Sequence, residues 1–99
     1  MTRGEVWRVS GLTGDRVMVI VGNDALADLY KSVQCVEIDT ARTARETLVT
    51  VRVDTPVTGT ALVAQVGPVL TSRLTERLGA LDTDTMDRIA IALGAVFDL

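Results

Sequence analysis

The sequence predicts a mostly β domain closed by a C-terminal helix, an α+β class in which short strands form a small, strongly bent sheet or barrel. Three observations carry this expectation. Up to about residue 66, β-branched residues gather in short runs separated by clusters of glycine, aspartate and proline. After Pro68 the alternation gives way to helical spacing. The final stretch, DTDTMDRIAIALGAVF, carries Met86, Ile89, Ala90, Leu93, Val96 and Phe97 at intervals that fall on one helix face.

Each element follows from its residues. EVWRVS (5–10) is rich in strand formers and is closed by Gly11 and Gly14. RVMVIV (16–21) is continuously apolar after its arginine, as a strand covered on both faces should be. DALADLY (24–30) reads as a loop or a single helical turn. SVQCVEI (32–38) and TLVTVRV (47–53) alternate, with Val49, Val51 and Val53 on one side and Thr50 and Arg52 on the other. DTPVTG (54–59) is turn chemistry, TALVAQV (60–66) a further strand, and GPVL a kink with a short return. TSRLTERLG (71–79) suits a short helix ended by Gly79. The last helix opens with Asp82 or Asp84 as its N-cap. That makes about five strands in one domain, 1–99.

Composition narrows the function classes. The 99 residues contain one Trp, one Tyr and one Phe, so the core must be aliphatic. No window is apolar for long enough to span a bilayer and no apolar signal region opens the chain, so a membrane role is not expected. A lone cysteine points to a reducing, cytoplasmic location. The net charge of −3 resides in residues 78–99, where Asp82, Asp84, Asp87 and Asp98 face Arg88 alone; residues 1–77 are neutral. Eight of the nine bases in that neutral part are arginines, which suit phosphate. A nucleic-acid site would therefore be a local patch.

The chain has no histidine, which removes imidazole bases and the Ser-His-Asp arrangement. Cys35 without histidine makes a zinc site improbable, and it reads as a small buried hydrophobe. No phosphate-binding glycine loop occurs. What remains is arginine, carboxylate and hydroxyl chemistry. Arg16, at the mouth of an apolar strand, is either a solvated strand end or a cation held at the rim of a site. TARTARE (40–46), with Arg42 and Arg45, is either a soluble connector or a phosphate-contacting loop.

Three stretches together carry a resemblance. RGEVW (3–7) resembles the opening motif of the MazF/PemK (Kid) toxins of type II toxin–antitoxin systems. DRVMVIVGND (15–24) is similar to the family's next landmark, a strand led by Arg-Pro and closed by a small residue with Asn-Asp. Arg16 matches the arginine, and Asn23 and Asp24 match the end. AQVGPVLTSRLTERLGALDTDTMDRIAIAL (64–93) is similar to the Gln-led strand, the Arg-Leu helix start, the Leu-x-x-x-x-Met segment and the C-terminal helix.

The resemblance implies an SH3-like, PemK-type β-barrel, usually homodimeric, and an endoribonuclease that cuts single-stranded RNA without metal or cofactor. It implies that Arg16 works with a threonine at the end of the next core strand while the RNA's own 2′-hydroxyl attacks the adjacent phosphate. The products would be a cyclic phosphate and a 5′-hydroxyl. A cognate antitoxin would block the groove with a mostly disordered tail.

The departures are specific. Val17 replaces the proline after the arginine. Strict register puts Asp39 at the threonine position, with Thr40 one residue later and usable through a one-residue bulge. VGPVL (66–70) replaces a polar and basic stretch, although Arg73 stays in register. The leading reading is an active nuclease, with Arg16 and Thr40, or Asp39, catalytic and Arg42, Arg45 and Arg73 contacting RNA. The alternative is a catalytically decayed barrel acting as a protein-binding module or non-nuclease toxin. A plain structural module is the third.

Overall fold

The computed structural model describes residues 1–41 and 47–98. In chain order it contains β1 (Glu5–Val9), β2 (Arg16–Ile20), α1 (Asp24–Tyr30), β3 (Ser32–Asp39), β4 (Thr50–Val53), β5 (Gly59–Leu62), β6 (Gly67–Leu70), β7 (Leu74–Ala80) and α2 (Thr83–Phe97). Short 3-10 turns occupy Val63–Gln65 and Thr71–Arg73. The seven strands form one antiparallel sheet in the order β4-β5-β3-β2-β1-β7, with β6 also paired to β3. The mostly β class with a C-terminal helix is as expected, with seven strands where about five were anticipated.

The main core explains how the sheet bends. Val6, Val19, Val36, Ile38, Val51, Val53 and Ala61, drawn from five strands, meet Ile89 and Ala92 of α2 in one cluster. Burying a side chain such as Val19 or Ile89 completely stabilises by roughly 1.5–3 kcal/mol. The sheet rolls around this cluster until its two ends approach. Gly79 on β7 packs against Pro56 in the β4–β5 turn, so tightly that a Cβ there would lie 2.8 Å from the proline Cβ. Gly79 also holds φ at +149°, a region that favours glycine.

A second, smaller cluster lies on the other face of the sheet. Ile20, Ala27, Val33 and Cys35 are buried there, with Trp7, Met18, Val69 and Leu74 packed at their margin. The apolar run of β2 is thus covered on both faces, as its sequence predicts. Cys35 is a buried small hydrophobe, and burial pushes its thiol up to about 12.

Four local expectations are corrected. Residues 24–30 form a seven-residue helix, because Asn23 Oδ1 accepts from Ala25 N at 2.8 Å and Lys31 ends it with φ of 59°. The helix expected over 71–79 is instead a 3-10 turn followed by β7. Leu74 and Leu78 are four apart, which mimics a helix, but a bulge against β1 puts Leu74 on the smaller cluster and Leu78 on the main core. The strand expected over 60–66 stops at Leu62, and GPVL is a true strand paired with β3. In the 47–53 run the strand proper begins at Thr50, to which Thr47 forms an isolated bridge.

The C-terminal helix is capped by Asp82, whose carboxylate accepts from Thr85 N at 2.7 Å. Its buried side is turned slightly from the expected one. Thr85, Ile89 and Ala92 are buried, Met86, Leu93 and Val96 pack against the core, and Ala90 and Phe97 face outward. Among the described residues no helix is long and apolar enough to cross a membrane.

Candidate functional site

The candidate site lies at one end of the sheet, where β2 begins and β3 ends. β2 and β3 run antiparallel with Met18 opposite Glu37 and Val17 opposite Ile38. Because side chains alternate along a strand, Arg16 and Met18 share a face with Glu37 and Asp39, while Val17 and Ile38 point into the main core. The register thus turns two carboxylates toward the face that carries the arginine.

Arg16 is the first residue of β2 and its side chain is 57% exposed. Its Nη1 donates to Glu37 Oε1 at 3.2 Å. Glu37 is more sheltered, at 25% exposure. Sequence reasoning singled out Asp39 and passed over Glu37. The available signal was the spacing: two residues before Asp39 on a strand means the same face.

Asp39 closes β3 in unbroken register, opposite the buried Thr60 on β5. Its Oδ1 accepts from Ala41 N at 3.0 Å, which turns the chain as the strand ends. Thr40 follows the strand and is exposed. β3 pairs with β2 and β5 without a bulge, so Asp39 holds the strand-end position.

Arg73 is fixed at the same end of the sheet, two strands from Arg16. Its Nε donates to Ser10 O at 2.7 Å, and Ser10 N donates back to Arg73 O at 2.9 Å. This pairing holds the guanidinium beside the loop that joins β1 to β2, in a concavity lined by Ser10, Gly11 and Leu12. Arg42 and Arg45 lie outside the described residues.

Further along the same face, Trp7 stands opposite Met18 on one side and Arg77 on the other. Glu5 orders this part. Its Oε1 accepts from Trp7 Nε1 at 3.2 Å and from Thr2 N at 2.8 Å, and its Oε2 accepts from Arg77 Nε at 2.8 Å. Burial pushes the Glu5 carboxyl upward, but these hydrogen bonds outweigh it and hold the group below its ordinary value. Among the described residues no three carboxylate, thiol or imidazole groups gather as a metal site would need.

This arrangement can receive an anion at Arg16 and offers carboxylates beside it. The family of PemK-like, MazF-like toxins of type II toxin–antitoxin systems matches residues 2–97. The chain belongs to that family. Solved structures agree with the PemK-type assignment. A mycobacterial endoribonuclease in complex with its cognate antitoxin superposes with a TM-score of 0.87 at 25% identity, covering all of this chain and 94% of that one. A second mycobacterial endoribonuclease gives a TM-score of 0.87 at 27% identity, covering all of this chain and 92% of the other. The MazF of Deinococcus radiodurans, solved with MazE, shares the fold at a TM-score of 0.85 and 18% identity, with coverage of 100% and 96%. No curated protein matches the sequence. The PemK/MazF resemblance read from RGEVW, Arg16 and the C-terminal third therefore holds along almost the whole chain.

Proposed function

We propose that this PemK/MazF-like toxin is an endoribonuclease that cleaves single-stranded RNA and is neutralised by a cognate antitoxin. The observation that carries the reading is the end-to-end likeness to two mycobacterial endoribonucleases, combined with an exposed arginine at the head of β2. In the proposed reaction the 2′-hydroxyl attacks its own adjacent phosphate without a metal ion, leaving a cyclic phosphate and a free 5′-hydroxyl. Arg16 neutralises the charge that builds on the phosphorane, a task suited to a permanent cation on a rigid strand. Asp39 and Thr40 supply polar groups at the end of β3, and Arg42, Arg45 and Arg73 contact the RNA backbone. The chain acts as one domain, pairs as a homodimer and works in the cytoplasm.

A specific observation favours a second reading. Glu37 already pairs with Arg16, and a carboxylate there opposes an incoming phosphate. In that case the chain would be a decayed barrel that binds protein. One experiment separates the two: incubation of a long unstructured RNA, in EDTA, with the wild type and with Arg16→Ala. Discrete fragments bearing 5′-hydroxyl ends, lost in the variant, are expected. Intact RNA with a folded wild type would sink the nuclease reading.

A further inference from the structure

Cleavage by an internal 2′-hydroxyl requires a group that takes that hydroxyl's proton. The chain has no histidine to do so. Cys35 is fully buried, with its thiol pushed up to about 12. Of the carboxylates on the Arg16 face, Glu5 lies further along and is taken up by Trp7, Thr2 and Arg77, which leaves two beside the arginine. Asp39 spends Oδ1 on the Ala41 N–H. Glu37 spends only Oε1, on Arg16 Nη1, and Oε2 takes no hydrogen bond among the described residues.

The surroundings of Glu37 suit it to such a role. It sits inside β3 opposite Met18, so its backbone is held by the ladder. On the other edge of β3, pairing passes from β6, which ends at Cys35, to β5, which starts at Ile38. Glu37 therefore has no strand partner on that side, where the 3-10 turn Val63–Gln65 joins β5 to β6, and its side chain keeps 25% exposure on the Arg16 face. Its bond to Arg16 is a partly exposed ion pair, which an incoming phosphate can loosen at little cost.

We propose that Glu37 is the general base of the RNA-cleaving reaction, taking the 2′-hydroxyl proton beside an Arg16-bound phosphate; this rests on the nuclease reading above. The Arg16 N–H groups not engaged by Glu37 hold the non-bridging oxygens. Glu37 Oε2 accepts the proton as the 2′-oxygen forms its bond to phosphorus. The bond from phosphorus to the 5′-oxygen breaks, and that oxygen takes a proton from water. The hydroxide so formed recovers the proton held by Glu37, which resets the carboxylate.

The test uses the purified full chain, a long unstructured RNA, and a 2′-deoxy analogue that binds but cannot react. Glu37→Gln keeps the shape and an oxygen for Arg16 but cannot take the proton. It is expected to lower kcat about 10²–10⁴-fold, with KM and analogue affinity unchanged or improved. Glu37→Asp is expected to recover part of the rate. Thermal melts of each variant report folding independently. A Glu37→Gln enzyme that cuts at the wild-type rate or faster would overturn the proposal alone, and make Glu37 a clamp on Arg16. A folded wild type that leaves the RNA intact would overturn the nuclease reading and this proposal with it.

Discussion

Gly59 and Asp39 meet backbone to backbone: a Cβ on Gly59 would come within 2.5 Å of the Asp39 carbonyl oxygen. The end of β3 can reach its observed place only because β5 begins with a residue that lacks a side chain. Gly59→Ala must push the strands apart, since the clash is with backbone and has no rotamer to relieve it. The expected cost is about 1–3 kcal/mol in urea unfolding. If Asp39 serves the proposed cleavage, its displacement should lower RNA cutting further than the loss of folded protein explains. Wild-type stability in Gly59→Ala would refute the close approach.

Glu5 should make stability depend on acidity. Its carboxyl is held below the ordinary value of 4.5, so it favours the folded state fully above that value and loses this contribution as pH falls through the lower folded value. Glu5→Gln removes the charge at every pH. The wild type should therefore exceed Glu5→Gln by about 1–3 kcal/mol at pH 7, and the gap should shrink toward pH 3. Equal gaps in chemical unfolding at both pH values would contradict this.

Cys35 should be silent toward thiol reagents in the native protein. It is 0% exposed and its thiol is pushed up to about 12, so little thiolate exists at neutral pH. Labelling should appear only as the chain unfolds, in step with loss of circular dichroism. Cys35→Ser puts a hydroxyl among Ile20, Ala27 and Val33 and should cost about 1–3 kcal/mol.

Arg16 should separate activity from stability. Its side chain is 57% exposed and its ion pair with Glu37 is partly solvated, so Arg16→Ala should change unfolding free energy by no more than about 1 kcal/mol. The same change should reduce RNA cleavage about 10²–10³-fold if Arg16 stabilises the phosphorane. A large shift in the melting temperature would instead mark Arg16 as a structural strand end.

The legible parts of the chain were those where local pattern and tertiary environment agree. β2 reads as an apolar run because both its faces are covered, and α2 reads as a helix because Asp82 caps an amphipathic stretch. β7 was misread because Leu74 and Leu78 lie four apart; only pairing with β1, and the bulges in that pairing, turns them to opposite faces. α1 is hard to read because it is held by the Asn23 side-chain cap and the left-handed turn at Lys31 rather than by length. At the site, Arg16 and Asp39 stood out by position, whereas Glu37 gained meaning only once the β2–β3 register was known.

β3 carries both carboxylates, and it is bonded to β2 along one edge and to β6 and then β5 along the other. Releasing either edge leaves the opposite ladder in place. Its amide hydrogens that bond into these ladders should therefore be among the slowest in the chain to exchange with solvent deuterium. Arg16 rides instead on the first residue of its strand, next to the loop from Ser10 to Asp15. Exchange should therefore begin at the loop and the first residue of β2 and reach the interior of β3 last.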